Sequence, residues 1–253
     1  MKSIYTHLRR HACEIAARQP LPDFYRDCRD AYFMSRYLFQ THPLIAELRQ
    51  FIELKLKDDF GHGVNHAVKV TIDSGALMFV EGLRLGYSER KIQRKILLTQ
   101  CAGLLHDAKR KSNNHALHGA VYARQVLMAY PLLAHEIDEI CCAIRNHEAF
   151  KNIIDTTTAE KLVISDCLYD ADKFRWGPDN FTDTVWQMVS YYDPPLATFL
   201  TIYPKGLENI RKIKTSFRSK AGKKYGPQFI DLGLSVGEAL FKIIQKNFNP
   251  GTY

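Results

Sequence analysis

No stretch of 18 or more apolar residues occurs in the chain, so it offers no candidate for a membrane-crossing helix. The first residues, Met1-Lys2-Ser3-Ile4-Tyr5-Thr6-His7, hold no apolar core of the secretory kind. Both absences lead to the expectation of a cytoplasmic protein with no membrane partner. Cysteine occurs six times but never as C-x-x-C, which gives a zinc finger little support. Free thiols in a reducing compartment are expected instead, with Cys101 and Cys141 acting as small hydrophobes inside apolar stretches. Internal repeats, low-complexity tracts and a convincing linker are also missing. So is any persistent alternation of apolar and polar residues, the pattern a half-buried strand requires.

What is present is an ordinary folding composition. Apolar residues make up 46% and charged residues 25% of 253, enough apolar area to bury a sizeable core and too much for a disordered chain. The length suits one large domain, or a core with extensions. The formal charge of +8 is uneven. Residues 205–224 hold eight Lys and Arg against the single acid Glu208, a net of +7. Such a segment could draw nucleic acid or a phosphorylated ligand, but a solvated helix face is the preferred reading.

The apolar spacing is helical almost throughout, and an all-α fold is expected. Thr41-His42-Pro43 reads as a helix start, with proline near the first helical position. A second helix is expected over 65–79, broken by Gly82 and Gly86. Ser88 caps a third, running through Ile92 and Ile96 to Leu105 and His106. Its second half is apolar nearly all round, which marks a central helix. Further helices are expected over 115–130, from Ile137 towards His147, from Thr157 or Thr158 to Asp172, over 207–217 and over 236–248. The pair Pro194-Pro195 sets the last two apart.

The chemistry begins at Leu104-Leu105-His106-Asp107, where an apolar helix delivers a histidine and an aspartate into the interior. A buried carboxylate without a compensating charge is very costly, and a metal ion supplies that charge. Single histidines or acids recur at buried-looking ends of successive helices: His66, His115, His147, and Asp170 or Asp172. Helical bundles build metal sites by gathering such residues in the core. Asp170 and Asp172 differ by about 200° in direction on a helix, so only one of them faces a common site.

The order H…HD…D on helices resembles the HD superfamily of metal-dependent phosphohydrolases. The pieces are His66 in H-x-x-K-V, His106-Asp107 in L-L-H-D, His115 in H-x-x-x-G, His147 in N-H-E and Asp172 in D-A-D-K-F. They span about 58–180. The resemblance implies an HD-like bundle there, with helical extensions over 1–57 and 181–253 of a single helical domain.

It further implies that His66, His106, Asp107 and Asp172 hold one divalent ion, with Asp107 bridging to a second held by His115 and His147. One or two ions per chain are expected: manganese, iron, nickel, zinc, cobalt or magnesium. For His115 and His147 the alternative is a hydrogen-bonded pocket histidine. Where related sequences carry a further acid, three residues after Asp172, this chain has Arg175.

Asp107, His62, Lys109 and Arg110 are the expected catalytic group. His62 reads as a general acid or substrate contact, or else as a surface histidine. Lys109 and Arg110 resemble positions that meet a phosphate, and Lys173 and Arg175 are weaker candidates of the same kind. The expected reaction is hydrolysis of a small phosphate monoester or phosphodiester, a nucleotide among the choices. Two alternatives stand beside it: a di-iron oxygenase of the same scaffold, and a non-catalytic module that binds nucleotide or nucleic acid. The aromatic stretch Phe174, Trp176, Phe181, Trp186, Tyr191 and Tyr192 reads first as core packing, and second as a stacking wall. The oligomeric state is left open.

Overall fold

The structure is a computed structural model that describes residues 3–55, 63–154 and 158–247. Among the described residues there is no strand, and the fold is an all-α bundle. No helix in it is long and apolar enough to cross a membrane. In chain order the helices are α1 (Ser3–Ala16), α2 (Asp23–Asp27), α3 (Arg29–Thr41), α4 (Pro43–Lys55), α5 (Val64–Arg84), α6 (Glu89–Leu105), α7 (His115–Leu127), α8 (Ala134–Arg145) and α9 (Ala159–Phe174). A π-helical turn (Asn180–Thr184) leads into α10 (Val185–Tyr192), followed by α11 (Leu196–Ile213) and α12 (Lys220–Asn247).

α5 and α6 form the central pair, and α9 packs against both. α6 starts as its sequence says: the Ser88 hydroxyl accepts the Lys91 N–H, filling one of the donors a helix start leaves open. From Ile96 to Leu105 every residue is buried. The two helices approach closely because glycine lies at their contact. A Cβ on Gly103 would sit 2.8 Å from the Thr71 Cα and 2.7 Å from its hydroxyl. Gly103→Ala is therefore expected to cost about 1–3 kcal/mol by overpacking. Equilibrium denaturation checks this, and an unchanged midpoint would show that α5 has room to move.

The same contact corrects one expectation. Gly82 does not break α5, which runs on to Arg84. There glycine lets the helix pass Ile92, whose Cγ1 would be 2.8 Å from a Cβ. The turn falls at Gly86, in the left-handed region at φ +68°. The C-terminal helices are also longer than expected, and both run through a proline, Pro204 in α11 and Pro227 in α12. Proline removes one backbone bond, yet the packed stripe Phe199, Tyr203, Leu207, Ile210 and Ile213 continues on both sides of it.

The terminal helices are part of one core. Phe24 of α2 meets Phe174 of α9 edge-on at 5.3 Å, and Phe174 stacks on Phe229 of α12 at 4.0 Å. The Tyr5 hydroxyl of α1 donates to the Pro194 carbonyl at 2.7 Å. Phe174, Phe181 and Trp186 are core residues, whereas Tyr191 and Tyr192 are exposed. All six cysteines are free thiols, with Cys101, Cys141, Cys142 and Cys167 buried. In the basic segment, Arg211 pairs with Glu208 and Glu238, and Lys214 pairs with Asp231. Arg218 lies over the Tyr169 ring, and its positive charge is spent inside the fold.

Candidate metal centre

The bundle brings six of the expected side chains to one place, and each comes from a helix end. His66 is in the first turn of α5. His106 and Asp107 follow the end of α6. His115 opens α7, His147 lies just past the end of α8, and Asp172 is in the last turn of α9. His66, His106, Asp107, His147 and Asp172 are buried, and His115 is partly buried.

Their polar atoms form two groups that share Asp107. Asp107 Oδ2 lies 3.4 Å from His106 Nε2 and 3.9 Å from His66 Nε2. Asp107 Oδ1 lies 3.5 Å from His147 Nε2 and 3.7 Å from His115 Nε2. Asp172 Oδ1 joins the first group, 3.3 Å from His66 Nε2 and 4.0 Å from that of His106. Within each group the imidazole nitrogens face each other, at 3.3 Å for His66 and His106 and at 3.2 Å for His115 and His147. The trios His66, His106, Asp107 and Asp107, His115, His147 each have the spacing to hold a metal ion.

The tautomers test whether an ion fits. His106 Nδ1 lies 2.7 Å from the Gly103 carbonyl, and His147 Nδ1 lies 2.6 Å from that of Ile144. A carbonyl only accepts, so both Nδ1 atoms carry the proton and donate it. His115 Nδ1 lies 2.8 Å from Glu148 Oε1 and is held the same way. The Nε2 atoms of His106 and His147 then present lone pairs towards the centre, and the Nε2 lone pair of His115 accepts from Arg110. Lone pairs facing each other at hydrogen-bond distance need a cation or a proton between them. Fixing the outer ring nitrogen on a carbonyl or carboxylate is how proteins orient a metal-binding histidine. The donor set therefore fits a divalent ion in each group.

The charges act differently on the rings of the two groups. Burial, then the neighbouring His147 and Arg110, push His115 down to about 4, keeping it in the neutral, ligating form. Burial also favours neutral His106, but Asp107 and Asp172 outweigh it and leave its pKa raised. Burial would push Asp172 up, yet Lys173, His66 and His106 together hold it well below the usual carboxylate range.

No family model, no curated protein and no solved structure matches this chain.

Asp170 and Asp172 differ in what they touch. Asp172 faces His66. Asp170, on the other side of α9, accepts the backbone N–H groups of Arg218 and Ser219, both at 2.8 Å, at the start of α12. A Cβ on Gly222 would collide with that carboxylate, which explains glycine there.

The expected catalytic group is divided. Arg110 Nη1 donates to His115 Nε2 at 2.8 Å and lies 3.9 Å from Asp107 Oδ1. Lys109 is turned away, its ammonium 4.2 Å above the Tyr122 ring, and it does not line the cavity in front of the cluster. The chain continues in tight turns past α6, with Arg110 N–H donating to the Asp107 carbonyl at 3.0 Å. That spacing of three returns Arg110 to the Asp107 side and points Lys109 at α7. His62 lies outside the described residues. His118 is exposed.

Several roles were not read from the sequence. Lys173, at first a weak phosphate candidate, is buried and contacts Asp172 while donating to the His147 carbonyl at 3.0 Å. Arg175 is also buried and pairs with Asp73 of α5 and with Asp179, tying the His66 helix to the Asp172 helix. Lys69, three residues after His66, reaches Asp179 at 2.9 Å. A cavity of about 850 Å³ opens in front of the cluster, and its far wall is formed by α10 and α11, which lie in the expected C-terminal extension. Glu148 could have been anticipated from the motif N-H-E; the pairing of Arg175 with Asp73, 102 residues apart, had no local signal.

Proposed function

We propose that this chain is a metal-dependent phosphohydrolase of the HD type, acting on a phosphate monoester or phosphodiester. One observation carries the reading: a single buried carboxylate, Asp107, turns one oxygen to each of two histidine groups whose lone pairs face inward. His66, His106, Asp107 and Asp172 would hold one ion, and Asp107, His115 and His147 a second. Divalent ions held there lower the pKa of water and polarise a phosphoryl oxygen.

The chain's own residues supply the rest. Arg110 is partly exposed at the cavity edge, where its planar guanidinium can take two phosphate oxygens. Lys173 contributes a buried positive charge at the cavity wall, against the Asp172 carboxylate. Charge that develops on a phosphoryl group is stabilised by such fixed cations in a site shielded from water. Glu148, Gly103 and Ile144 keep three imidazoles in the ligating tautomer.

The same ligand groups suit di-iron oxygen activation. Arg110, at the cavity edge where substrate enters, favours an oxyanion and hence phosphate chemistry. Chelator-treated protein should release neither phosphate from nucleotides and nitrophenyl monoesters nor nitrophenol from nitrophenyl diesters. Added manganese should start the release. Inertness towards every ester, with a mixed-valence iron spectrum in anaerobically purified protein, would decide for the oxygenase.

A further inference from the structure

The cavity in front of the ligand groups has two unlike ends. One is charged, with Asp107, Arg110, Asp172 and Lys173. The other runs between α10 and α11 and is walled by Val185, Met188, Ile202, Leu207 and Ile210, with Trp176 beside the charged end. Pockets for small molecules are commonly apolar with a few placed polar groups. Here the division is spatial, since the cations cluster at the metal end. Of the further cations on the wall, Arg175 is already paired with Asp73 and Asp179, and Lys151 is exposed next to Phe150. The Tyr203 hydroxyl is spent on the Gly237 carbonyl at 3.0 Å. Asn180, Thr184 and Asn209 are the neutral amide and hydroxyl side chains on that wall.

The cavity lip carries several exposed apolar side chains, with Lys151 beside them. Phe150 is 62% exposed, and its backbone stands at φ +62°, a conformation a bulky residue adopts only at a cost. Tyr192, Ile202 and Met188 line the cavity while remaining exposed. Large apolar groups gathered at an opening mark a site where apolar material is taken up.

We propose that the site takes phosphate esters of long apolar alcohols, with the phosphate at the ligand groups and the hydrocarbon lying between α10 and α11. This rests on the phosphohydrolase reading given above. In the reaction a water oxygen forms a new bond to phosphorus as the ester P–O bond breaks. The bonding pair leaves on the alcohol oxygen, which takes up a proton, so the products are inorganic phosphate and the free alcohol. A nucleoside offers hydrogen-bonding edges that this arm leaves mostly unanswered, whereas an alkyl chain loses nothing by entering it.

The test uses ethyl, hexyl and decyl phosphate below their micelle concentrations, beside adenosine and uridine monophosphates. Calorimetry on chelator-treated full-length protein reads binding, and phosphate release by the manganese-loaded protein reads turnover. Affinity should climb roughly threefold to fourfold per methylene, the value of burying that group. Decyl phosphate should also be hydrolysed with a higher kcat/KM than either nucleotide. Met188→Asp should cut the ratio of decyl to ethyl affinity at least roughly tenfold, since a carboxylate would then border the hydrocarbon. Turnover without any chain-length dependence, or a preference for the nucleotides, would overturn the proposal and leave the phosphohydrolase reading in place. Chain-length-dependent binding without turnover of any ester, the nitrophenyl diesters included, would uphold the apolar arm and overturn the phosphohydrolase reading.

Discussion

Asp107→Ala is expected to remove both metal ions together and to lower phosphate release by on the order of 10³-fold or more, the several kcal/mol that a metal contributes to a charged transition state. The reason lies in the two oxygens of one carboxylate, each belonging to a different histidine group. His115→Ala should behave differently. It touches the second group alone, so the chain should lose one ion and keep the one at His66, His106 and Asp172. Metal analysis after reconstitution and gel filtration separates the two variants, with circular dichroism showing that the helices persist. Equal losses from both would mean that the groups do not bind independently, and full retention by Asp107→Ala would remove the bridge from the account.

Arg175→Met should destabilise the fold by about 3–5 kcal/mol, the cost of leaving one member of a buried ion pair alone. Both side chains are at most 8% exposed, so water cannot replace the lost partner. Asp73 also accepts the Tyr25 hydroxyl at 2.9 Å, a bond too weak to replace the guanidinium. The double change Asp73→Asn with Arg175→Met should recover much of the loss, because the buried carboxylate is then gone and Asp179 keeps Lys69.

The pH dependence has a definite sign. Burial raises the Asp73 carboxyl above its ordinary 3.8 even with Arg175 present, and removing the guanidinium raises it further. A carboxyl raised in the folded state adds stability below its unfolded value, and that contribution is lost as pH rises through the folded value. Arg175→Met should therefore lie closer to the wild type at pH 5 than at pH 8. Urea titrations at the two pH values measure this, and a gap that widens on acidification would reverse the assignment.

The fold class was legible in the sequence because helical periodicity is a local property. Ser88 as a cap and the all-apolar run before His106 are both visible in a window of a few residues. The helix lengths were less legible. Gly82, Pro204 and Pro227 look like breaks until the neighbours are known, and those neighbours, Ile92 among them, are supplied by packing.

The candidate site divides the same way. His66, His106, Asp107, His115, His147 and Asp172 each sit at the end of a readable helix, and their order could be seen directly. Which of Lys109 and Arg110 faces the cluster depends on the turn after α6. The partner of Arg175 lies on another helix. Trp176, Phe181 and Tyr192 of the aromatic stretch do line the cavity, while the α11 part of the apolar arm carries no chemical motif.

Diffraction from crystals grown with manganese, collected at a wavelength where manganese scatters anomalously, tests the central claim most directly. Two anomalous peaks are expected, one beside His66 and His106 and the other beside His115 and His147, with the Asp107 carboxylate between them. Anomalous density absent from both positions, in protein saturated with the ion, would contradict the account.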